Sequence, residues 1–91
     1  MEKPIVYLIV SLKDHRTYLG STDNLKRRLE EHNLGKVKAT RYRRPLKLIY
    51  IEKLGSLLEA RRREKYYKSC AGRKKLRKIF ESRDRPPRLD V

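Results

Sequence analysis

The fold is decided by residues 5–12, Ile-Val-Tyr-Leu-Ile-Val-Ser-Leu, which are almost all aliphatic, β-branched or aromatic. The run has the length of a strand and is apolar at both odd and even positions, so both of its faces should be buried. We therefore place it at the centre of a sheet. A polar break at residues 13–16 separates it from Thr17-Tyr18-Leu19, where the strand pattern resumes until Gly20. Two strands joined so closely predict an antiparallel hairpin.

Signals for the start and end of a helix bracket the next segment. Residues 21–24, Ser-Thr-Asp-Asn, are suited to cap a helix N-terminus, and Leu25 and Leu29 then recur at helical spacing. Residues 33–35, Asn-Leu-Gly, indicate where this helix stops. We interpret residues 36–45, which are rich in Lys and Arg, as a basic loop.

One further strand and two further helices complete the chain. Residues 46–54 predict a third strand. We expect its two faces to carry Leu46, Leu48 and Tyr50 on one side and Ile49 and Ile51 on the other. Ser56 and Glu59 fit a capping box that opens a second helix, which we extend to about Ser69. Residues 73–82 predict a third helix. Its buried stripe is predicted to be Leu76, Ile79 and Phe80.

The predicted order is β-β-α-β-α-α, an α+β domain in which a three-stranded antiparallel sheet is flanked by three helices. We assign residues 1–82 to this domain. Residues 83–91 contain adjacent prolines and many charges, so we expect a flexible basic tail there.

The charge of the chain indicates its class of partner. Its 91 residues include 26 Lys and Arg against 11 Asp and Glu, a formal net charge of +15. Such an excess repels itself unless a polyanion is bound, and nucleic acid is the leading candidate. An anionic membrane surface is the rival. The sequence has no long apolar span and no signal-peptide pattern, so we predict a cytoplasmic protein. Cys70 is the single cysteine, which excludes an intrachain disulfide.

Two side chains of the first helix border its apolar side. Arg28 lies three residues after Leu25, and His32 lies four residues after Arg28. A guanidinium group at the end of a sheet can hold a phosphate through two hydrogen bonds. The alternative is that Arg28 covers the core with its methylene groups and leaves its charge in water.

The second helix carries an acid on its apolar side. Leu57, Ala60, Glu64 and Tyr67 share one face, whereas Arg and Lys crowd the rest of the helix. A carboxylate in that place is costly unless it is paired or binds a metal ion. A salt bridge to a neighbouring cation competes with the metal hypothesis for Glu64. Glu59 is the weaker candidate because capping already occupies it.

Tyrosine accounts for six of the seven aromatic residues. Tyr7 and Tyr18 lie on the two strands of the predicted hairpin and can be neighbours. A buried tyrosine commonly packs its ring and gives its hydroxyl a polar partner. Together with Arg28, His32 and Glu64, however, two phenols complete the set of groups that phosphodiester hydrolysis requires: a metal-binding carboxylate, a cation for the phosphate and a group that moves a proton.

These residues resemble the motifs of the GIY-YIG endonuclease superfamily, over approximately residues 5–80. Ile5-Val6-Tyr7 stands at the first motif and Tyr18-Leu19-Gly20 at the second. Residues 18–33 look like the strand-turn-helix of that family. The chain is most similar to the small stand-alone members, which look like the nuclease half of the excinuclease C subunit.

The resemblance extends to the site residues. Arg28 falls ten residues after Tyr18, where the family keeps its catalytic arginine, and His32 falls where many members keep a histidine. Residues 60–65 resemble the segment that carries the metal-binding glutamate, which would be Glu64. Ile5 departs from the Gly of the first motif, and no polar residue after Glu64 matches the asparagine of some relatives.

The resemblance implies an endonuclease that uses one Mg²⁺ or Mn²⁺ ion. Glu64 would hold the ion, Arg28 would stabilise charge on the phosphoryl oxygens, and Tyr7 would orient or deprotonate water, helped by Tyr18 or His32. DNA is the expected substrate in preference to RNA, in a repair or recombination role. Further contacts to the nucleic acid are predicted for Gly20, Lys26, Arg27, Lys38, Arg41, Tyr42, Arg43 and Arg44.

Two of these expectations have open alternatives. Tyr42 could stack on an unpaired base or could be an ordinary residue of a solvated loop. The whole chain could instead be a non-catalytic nucleic-acid-binding module of the same fold, or a basic structural protein such as a ribosome-associated factor. The sequence leaves the oligomeric state open.

Overall fold

The computed structural model describes residues 3–79 of the chain. The strands are β1 (Ile5–Ser11), β2 (Thr17–Thr22) and β3 (Leu46–Lys53), the helices are α1 (Leu25–Asn33), α2 (Leu57–Tyr67) and α3 (Cys70–Ile79), and a 3-10 turn spans Arg41–Arg43. The predicted order of elements and the α+β class are confirmed. The expected tail at residues 83–91 and the end of the third helix at residues 80–82 lie outside the described residues. Within residues 3–79, no helix is long and apolar enough to cross a membrane.

The central position predicted for β1 is confirmed, because the strand order is β2-β1-β3 and both pairings are antiparallel. Its alternating side chains build two separate cores. Val6 and Leu8 pack against α2 and α3, where Ala60, Tyr67 and Leu76 are buried. On the opposite face, Ile5, Tyr7 and Ile9 pack with Leu46 and with the partly buried Leu25 and Leu29 of α1.

A bulge in β3 changes which side chains share a face. Leu8 pairs with Tyr50, whereas the next residue of β1, Ile9, pairs with Leu48, so Ile49 is the extra residue. A bulge of this kind reverses the alternation of side chains beyond it. The prediction that Tyr50 lies with Leu46 and Leu48 is therefore wrong, and Tyr50 packs beside Ile49 on the α2 face.

Two element boundaries also differ from the sequence-based expectation. β2 continues past Gly20, because Ser21 pairs with Val6 and Thr22 pairs with Ile5. α3 begins at Cys70, three residues before the predicted start. Ser69 explains the early start, since its Oγ accepts a hydrogen bond of 3.2 Å from the Gly72 amide in the manner of an N-cap.

A half-buried carboxylate joins α2 to the sheet. Glu52 of β3 accepts a hydrogen bond from the Tyr67 hydroxyl and another, of 3.1 Å, from the Tyr50 hydroxyl. Arg63 of α2 lies 2.8 Å from the same carboxylate. Burial, together with the bond to Glu52, raises the pKa of Tyr67. Each oxygen of Glu52 thus has a partner, which offsets the cost of removing its charge from water. Glu52 was not among the residues predicted from the sequence.

The tight contact of α3 with α2 yields a stability prediction. A Cβ at Gly72 would lie 1.9 Å from the carbonyl oxygen of Tyr66, so Gly72→Ala must displace backbone. We expect the free energy of unfolding to fall by about 1–3 kcal/mol, measured by urea denaturation followed by circular dichroism. Gly55→Ala is the matched control, because the added Cβ would meet only the movable end of the Glu59 side chain, at 3.0 Å. Equal stability of the two variants would contradict this packing.

Candidate active site

Three predicted site residues meet on the α1 face of the sheet. Tyr7 projects from β1, and its hydroxyl lies 2.9 Å from Nε2 of His32. Arg28, one turn earlier in α1, donates from Nε to the same hydroxyl at 3.4 Å. α1 is held in this register by Asn24, whose side chain accepts from the Arg27 amide and caps the helix. The hairpin and the helix therefore bring a phenol, an imidazole and a guanidinium group into one hydrogen-bonded cluster.

The cluster favours neutral forms of the phenol and imidazole. Tyr7 and His32 are 1% and 0% exposed. Burial raises the pKa of Tyr7 to about 12, against the lowering effect of the Arg28 hydrogen bond. Burial, assisted by the nearby Arg28 charge, lowers the pKa of His32 to about 4. At neutral pH the resting cluster therefore holds a protonated phenol, a neutral imidazole and one guanidinium charge.

Thr40 is a partner of the cluster that was not predicted from the sequence. Its Oγ lies 2.7 Å from Nδ1 of His32, and both residues are fully buried. Thr40 belongs to the predicted basic loop, eight residues after His32 along the chain, and nothing in its sequence context points to the imidazole. In a neutral imidazole only one nitrogen carries a proton. His32 must therefore donate a hydrogen bond through one nitrogen and accept one through the other, with Thr40 and Tyr7 as the two partners.

Tyr18 and Gly20 complete this side of the site. The Tyr18 ring packs edge-on against His32 with 5.1 Å between centroids, and Tyr18 is half-buried, unlike Tyr7. Gly20 pairs with Tyr7 across the hairpin, and a Cβ there would lie 2.5 Å from the Tyr7 hydroxyl oxygen. The glycine thus makes room for the phenol. Because Gly20 is itself buried, it offers almost no surface for the nucleic-acid contact predicted for it.

Glu64 reaches the sheet from the opposite side. Its Oε1 accepts a hydrogen bond of 2.6 Å from the Ser21 hydroxyl, and its Oε2 lies 2.8 Å from the ammonium group of Lys68. The salt bridge considered as the alternative role of Glu64 is therefore present. Lys68 is an exposed residue at the C-cap of α2, one turn after Glu64, so this pair contributes little stability and can exchange. Neither Ser21 nor Lys68 was predicted to contact Glu64.

The two groups of side chains converge on consecutive residues of β2. The Tyr7 hydroxyl lies over Gly20, and Glu64 is bonded to the next residue, Ser21. Since β2 is an edge strand, a ligand at its outer edge can be approached from both faces of the sheet. Glu64 is also close enough to add to the raised pKa of Tyr7. The carboxylate on one face of the sheet and the phenol and guanidinium group on the other therefore lie near neighbouring residues of one edge strand.

The donors at this edge fit Mg²⁺ or Mn²⁺. One carboxylate beside a hydroxyl suits a hard cation that keeps several waters and takes further oxygens from a phosphate. Residues 3–79 contain no group of three or more His, Cys, Asp or Glu side chains that could form a complete protein cage for a metal. A divalent ion on Glu64 would compete with the ammonium group of Lys68.

Most of the predicted nucleic-acid contacts lie at the surface. The exposed members of the set are Lys26, Arg27, Lys38, Arg41, Tyr42 and Arg44. Arg43 differs because it is half-buried. Its Nε lies 3.3 Å from the Asp14 carboxylate, an ion pair without hydrogen-bond geometry, and it also donates to the Thr17 carbonyl at 3.4 Å. Arg43 therefore holds the basic loop to the hairpin instead of facing solvent.

Comparison with known proteins gives one consistent result. Residues 3–77 match the model of the GIY-YIG catalytic domain. Over 82 residues the chain is 44% identical to the UPF0213 protein SH2523 of Staphylococcus haemolyticus, covering 89% of this chain and 99% of that protein. It is 38% identical over 79 residues to the UPF0213 protein YazA of Bacillus subtilis, covering 86% and 80% of the two chains. No solved structure matches the chain significantly.

The lowered pKa of His32 predicts how stability depends on pH. Between about 4 and the ordinary value of 6.5, the unfolded chain binds a proton at this position that the folded chain excludes. The free energy of unfolding should therefore fall as the pH drops through this interval, by roughly 2–3 kcal/mol for His32. Urea denaturation across the interval measures the change, with His32→Gln as the reference. Parallel curves for the two proteins would rule out a buried neutral histidine.

The bond between Thr40 and His32 predicts a single imidazole tautomer. We expect Nδ1 to carry the proton and donate to Thr40, leaving Nε2 to accept from the Tyr7 hydroxyl. Nitrogen-15 NMR of the imidazole distinguishes the two nitrogens. Thr40→Val should give a mixture of tautomers, and Thr40→Ser should retain the single form. An Nε2-protonated ring in the parent protein would reverse the assignment.

Proposed function

We propose a function from one premise: the chain belongs to the GIY-YIG family, which is a family of nucleases. The proposed activity is metal-dependent endonucleolytic hydrolysis of phosphodiester bonds in DNA. One observation supports it above the others. Tyr7 and Glu64 contact consecutive residues of the edge strand, and Arg28 donates to the same phenol. This convergence could serve a phosphate, whereas a purely structural sheet edge would not need it.

Arg28 is the proposed electrophile of the site. Its Nε is engaged by Tyr7, while its Nη1 lies 3.7 Å from Glu31 in a half-exposed pair. Pairs of this kind contribute little and exchange readily with another anion. The Nη edge of the guanidinium group could therefore turn from Glu31 to the phosphoryl oxygens, where negative charge grows during hydrolysis.

The pKa values distinguish two roles for Tyr7. Burial raises the pKa of Tyr7 to about 12 and lowers the pKa of His32 to about 4, so transfer of the phenol proton to the imidazole at rest is unfavourable. In the proposed mechanism the phenol therefore stays protonated at rest and orients the attacking water, and His32, held by Thr40, fixes the phenol. Tyr18, which is less buried, is the proposed assisting hydroxyl.

Glu64 is the proposed ligand of a single Mg²⁺ or Mn²⁺ ion. When bound, such an ion offsets charge on the phosphate and lowers the pKa of a coordinated water. The Ser21 hydroxyl orients the Glu64 carboxylate by donating to Oε1. The Lys68 ammonium group is paired with Oε2 until a divalent cation displaces it. The identity of the ion, a role in repair and a cytoplasmic location stay predictions.

A non-catalytic nucleic-acid-binding module is the second candidate. The observation in its favour is the pair between Glu64 and Lys68, because a satisfied carboxylate needs no metal ion. The net charge of +15 serves a binder as well as an enzyme. The two candidate functions differ only in whether the site at the edge of β2 hydrolyses a phosphodiester bond.

Cleavage assays test the catalytic proposal. Supercoiled plasmid, flap, junction and single-stranded DNA would be incubated with Mg²⁺ or Mn²⁺ and resolved on gels. Glu64→Gln and Arg28→Ala should each lower the rate at least a hundredfold, because each removes charge stabilisation of the transition state. Tyr7→Phe and Tyr18→Phe, compared with each other, identify the phenol that orients the water.

Glu59→Gln is the matched control for Glu64, since Glu59 lies on the same helix and its carboxylate accepts from the Gly55 amide. This variant should cleave at nearly the parental rate. Cleavage that persists unchanged in Glu64→Gln would indicate a contaminating nuclease. Binding of DNA without any cleavage by the parent protein would favour the second candidate.

A further inference from the structure

The loop between α1 and β3 has a fixed shape. Ser11 donates to the Arg43 carbonyl at 2.5 Å, and the Leu12 amide donates to the Pro45 carbonyl at 2.9 Å. At the end of the loop, Asn33 accepts from the Leu46 amide at 2.9 Å. These hydrogen bonds attach the loop to the hairpin and to α1, so the backbone that carries its side chains is fixed.

Tyr42 is the most exposed large hydrophobic residue in the described part of the chain, at 79%. It lies in the 3-10 turn between Thr40, which is buried in the candidate active site, and Arg43, which is anchored to Asp14. The Lys13 ammonium group donates to the Tyr42 carbonyl at 3.2 Å, so a positive charge lies next to Tyr42. A large aromatic ring held in solvent by a well-bonded backbone is available to stack on a ligand.

Two arginines that flank Tyr42 are brought together at Gly35. Arg41 donates from Nε to the Gly35 carbonyl at 3.0 Å. The guanidinium group of Arg44 covers the open side of the same glycine, where a Cβ would lie 2.8 Å from Nη1. The backbone of Gly35 has φ +80°, a conformation that favours glycine.

Within the described part of the chain, this pair of arginines has no carboxylate partner. Arg44 donates from Nε to the Arg41 carbonyl at 2.8 Å, which places the two side chains on one short segment. Among residues 3–79, neither Arg41 nor Arg44 forms an ion pair with a carboxylate. Like charges held close repel each other, and a bound anion would relieve the repulsion.

An exposed aromatic ring beside cations that hydrogen bonds hold in place has the groups needed to bind an unpaired nucleotide. The ring can stack on a base, and the guanidinium and ammonium groups can hold the phosphates on either side. An intact duplex offers the phosphates alone, because its bases are already stacked on each other. Lys13, Arg41, Tyr42 and Arg44 also line one surface groove, so a strand could contact all four.

We propose that this groove binds unpaired nucleotides, so that the substrate class is single-stranded nucleic acid or a branched nucleic acid with an unpaired strand. The inference names the substrate of the proposed nuclease and rests on that function. Thr40 lies two residues from Tyr42 along the chain and bonds His32, so one loop carries both a groove residue and a partner of the candidate active site.

Binding measured without divalent metal tests the proposal separately from cleavage. Fluorescence anisotropy with EDTA would compare a labelled single strand of about 12 nucleotides with the blunt duplex of the same sequence. Tyr42→Ala should weaken binding of the single strand about tenfold and change duplex binding less than about twofold. Tyr42→Phe should bind the single strand as the parent does, because stacking needs the ring and not the hydroxyl.

Leu34→Ala is the matched control, since Leu34 is 65% exposed and begins the same loop. It should bind both nucleic acids as the parent does. Arg41→Ala and Arg44→Ala should each reduce the salt dependence of single-strand binding by about one phosphate contact. Circular dichroism of each variant verifies folding.

Three outcomes overturn the groove proposal. Tyr42→Ala could weaken single-strand and duplex binding equally, or it could weaken neither. The third outcome is that Tyr42→Ala weakens binding to anionic lipid vesicles alone. If the parent protein cleaves DNA and one of these outcomes is found, the proposed nuclease function stands and the groove proposal fails. If single-strand binding depends on the ring and no cleavage occurs, the groove still binds unpaired nucleotides, but the nuclease function fails and the bound strand is a ligand instead of a substrate.

Discussion

The burial of β1 on both faces is the constraint on which the rest of the structure depends. A strand with two apolar faces must be covered on each side, so α1 packs on one face while α2 and α3 pack on the other. Alternation along the strand then sends Tyr7 toward α1 and its neighbours Val6 and Leu8 toward α2. The two parts of the candidate site thus approach the edge strand from opposite sides of one sheet.

Two carboxylates on the α2 side illustrate how similar groups serve different purposes. Glu52 has the Tyr50 and Tyr67 hydroxyls on one oxygen and Arg63 on the other, so a metal ion would have to displace a half-buried guanidinium group. Glu64 has one hydroxyl and one exposed ammonium group. Because exposed pairs exchange at little cost, Glu64 is the better candidate of the two for binding a cation. The difference lies in the partners and not in the residue type.

The order of elements was predictable because hydrophobic periodicity and capping residues act locally. Ser56 does accept from the Glu59 amide, as the capping box indicates. One error arose where a contact distant in sequence decides. The bulge opposite Leu8 and Ile9 moves Tyr50 to the other face, and no periodicity within β3 reveals it. The early start of α3 depends on the use of one serine as a cap.

Resemblance to the family motifs selected Tyr7, Arg28 and His32. Their closeness was predictable because hairpin pairing and the helical repeat are short-range properties and α1 follows the hairpin directly. The sequence also determined the excess of positive charge and the presence of an acid on the apolar side of α2. Tertiary structure alone decided the partners: Thr40 for His32, Ser21 and Lys68 for Glu64, and Asp14 for Arg43. Such partners are chosen by which surfaces meet when the helices close over the sheet, and that is a property of packing in three dimensions.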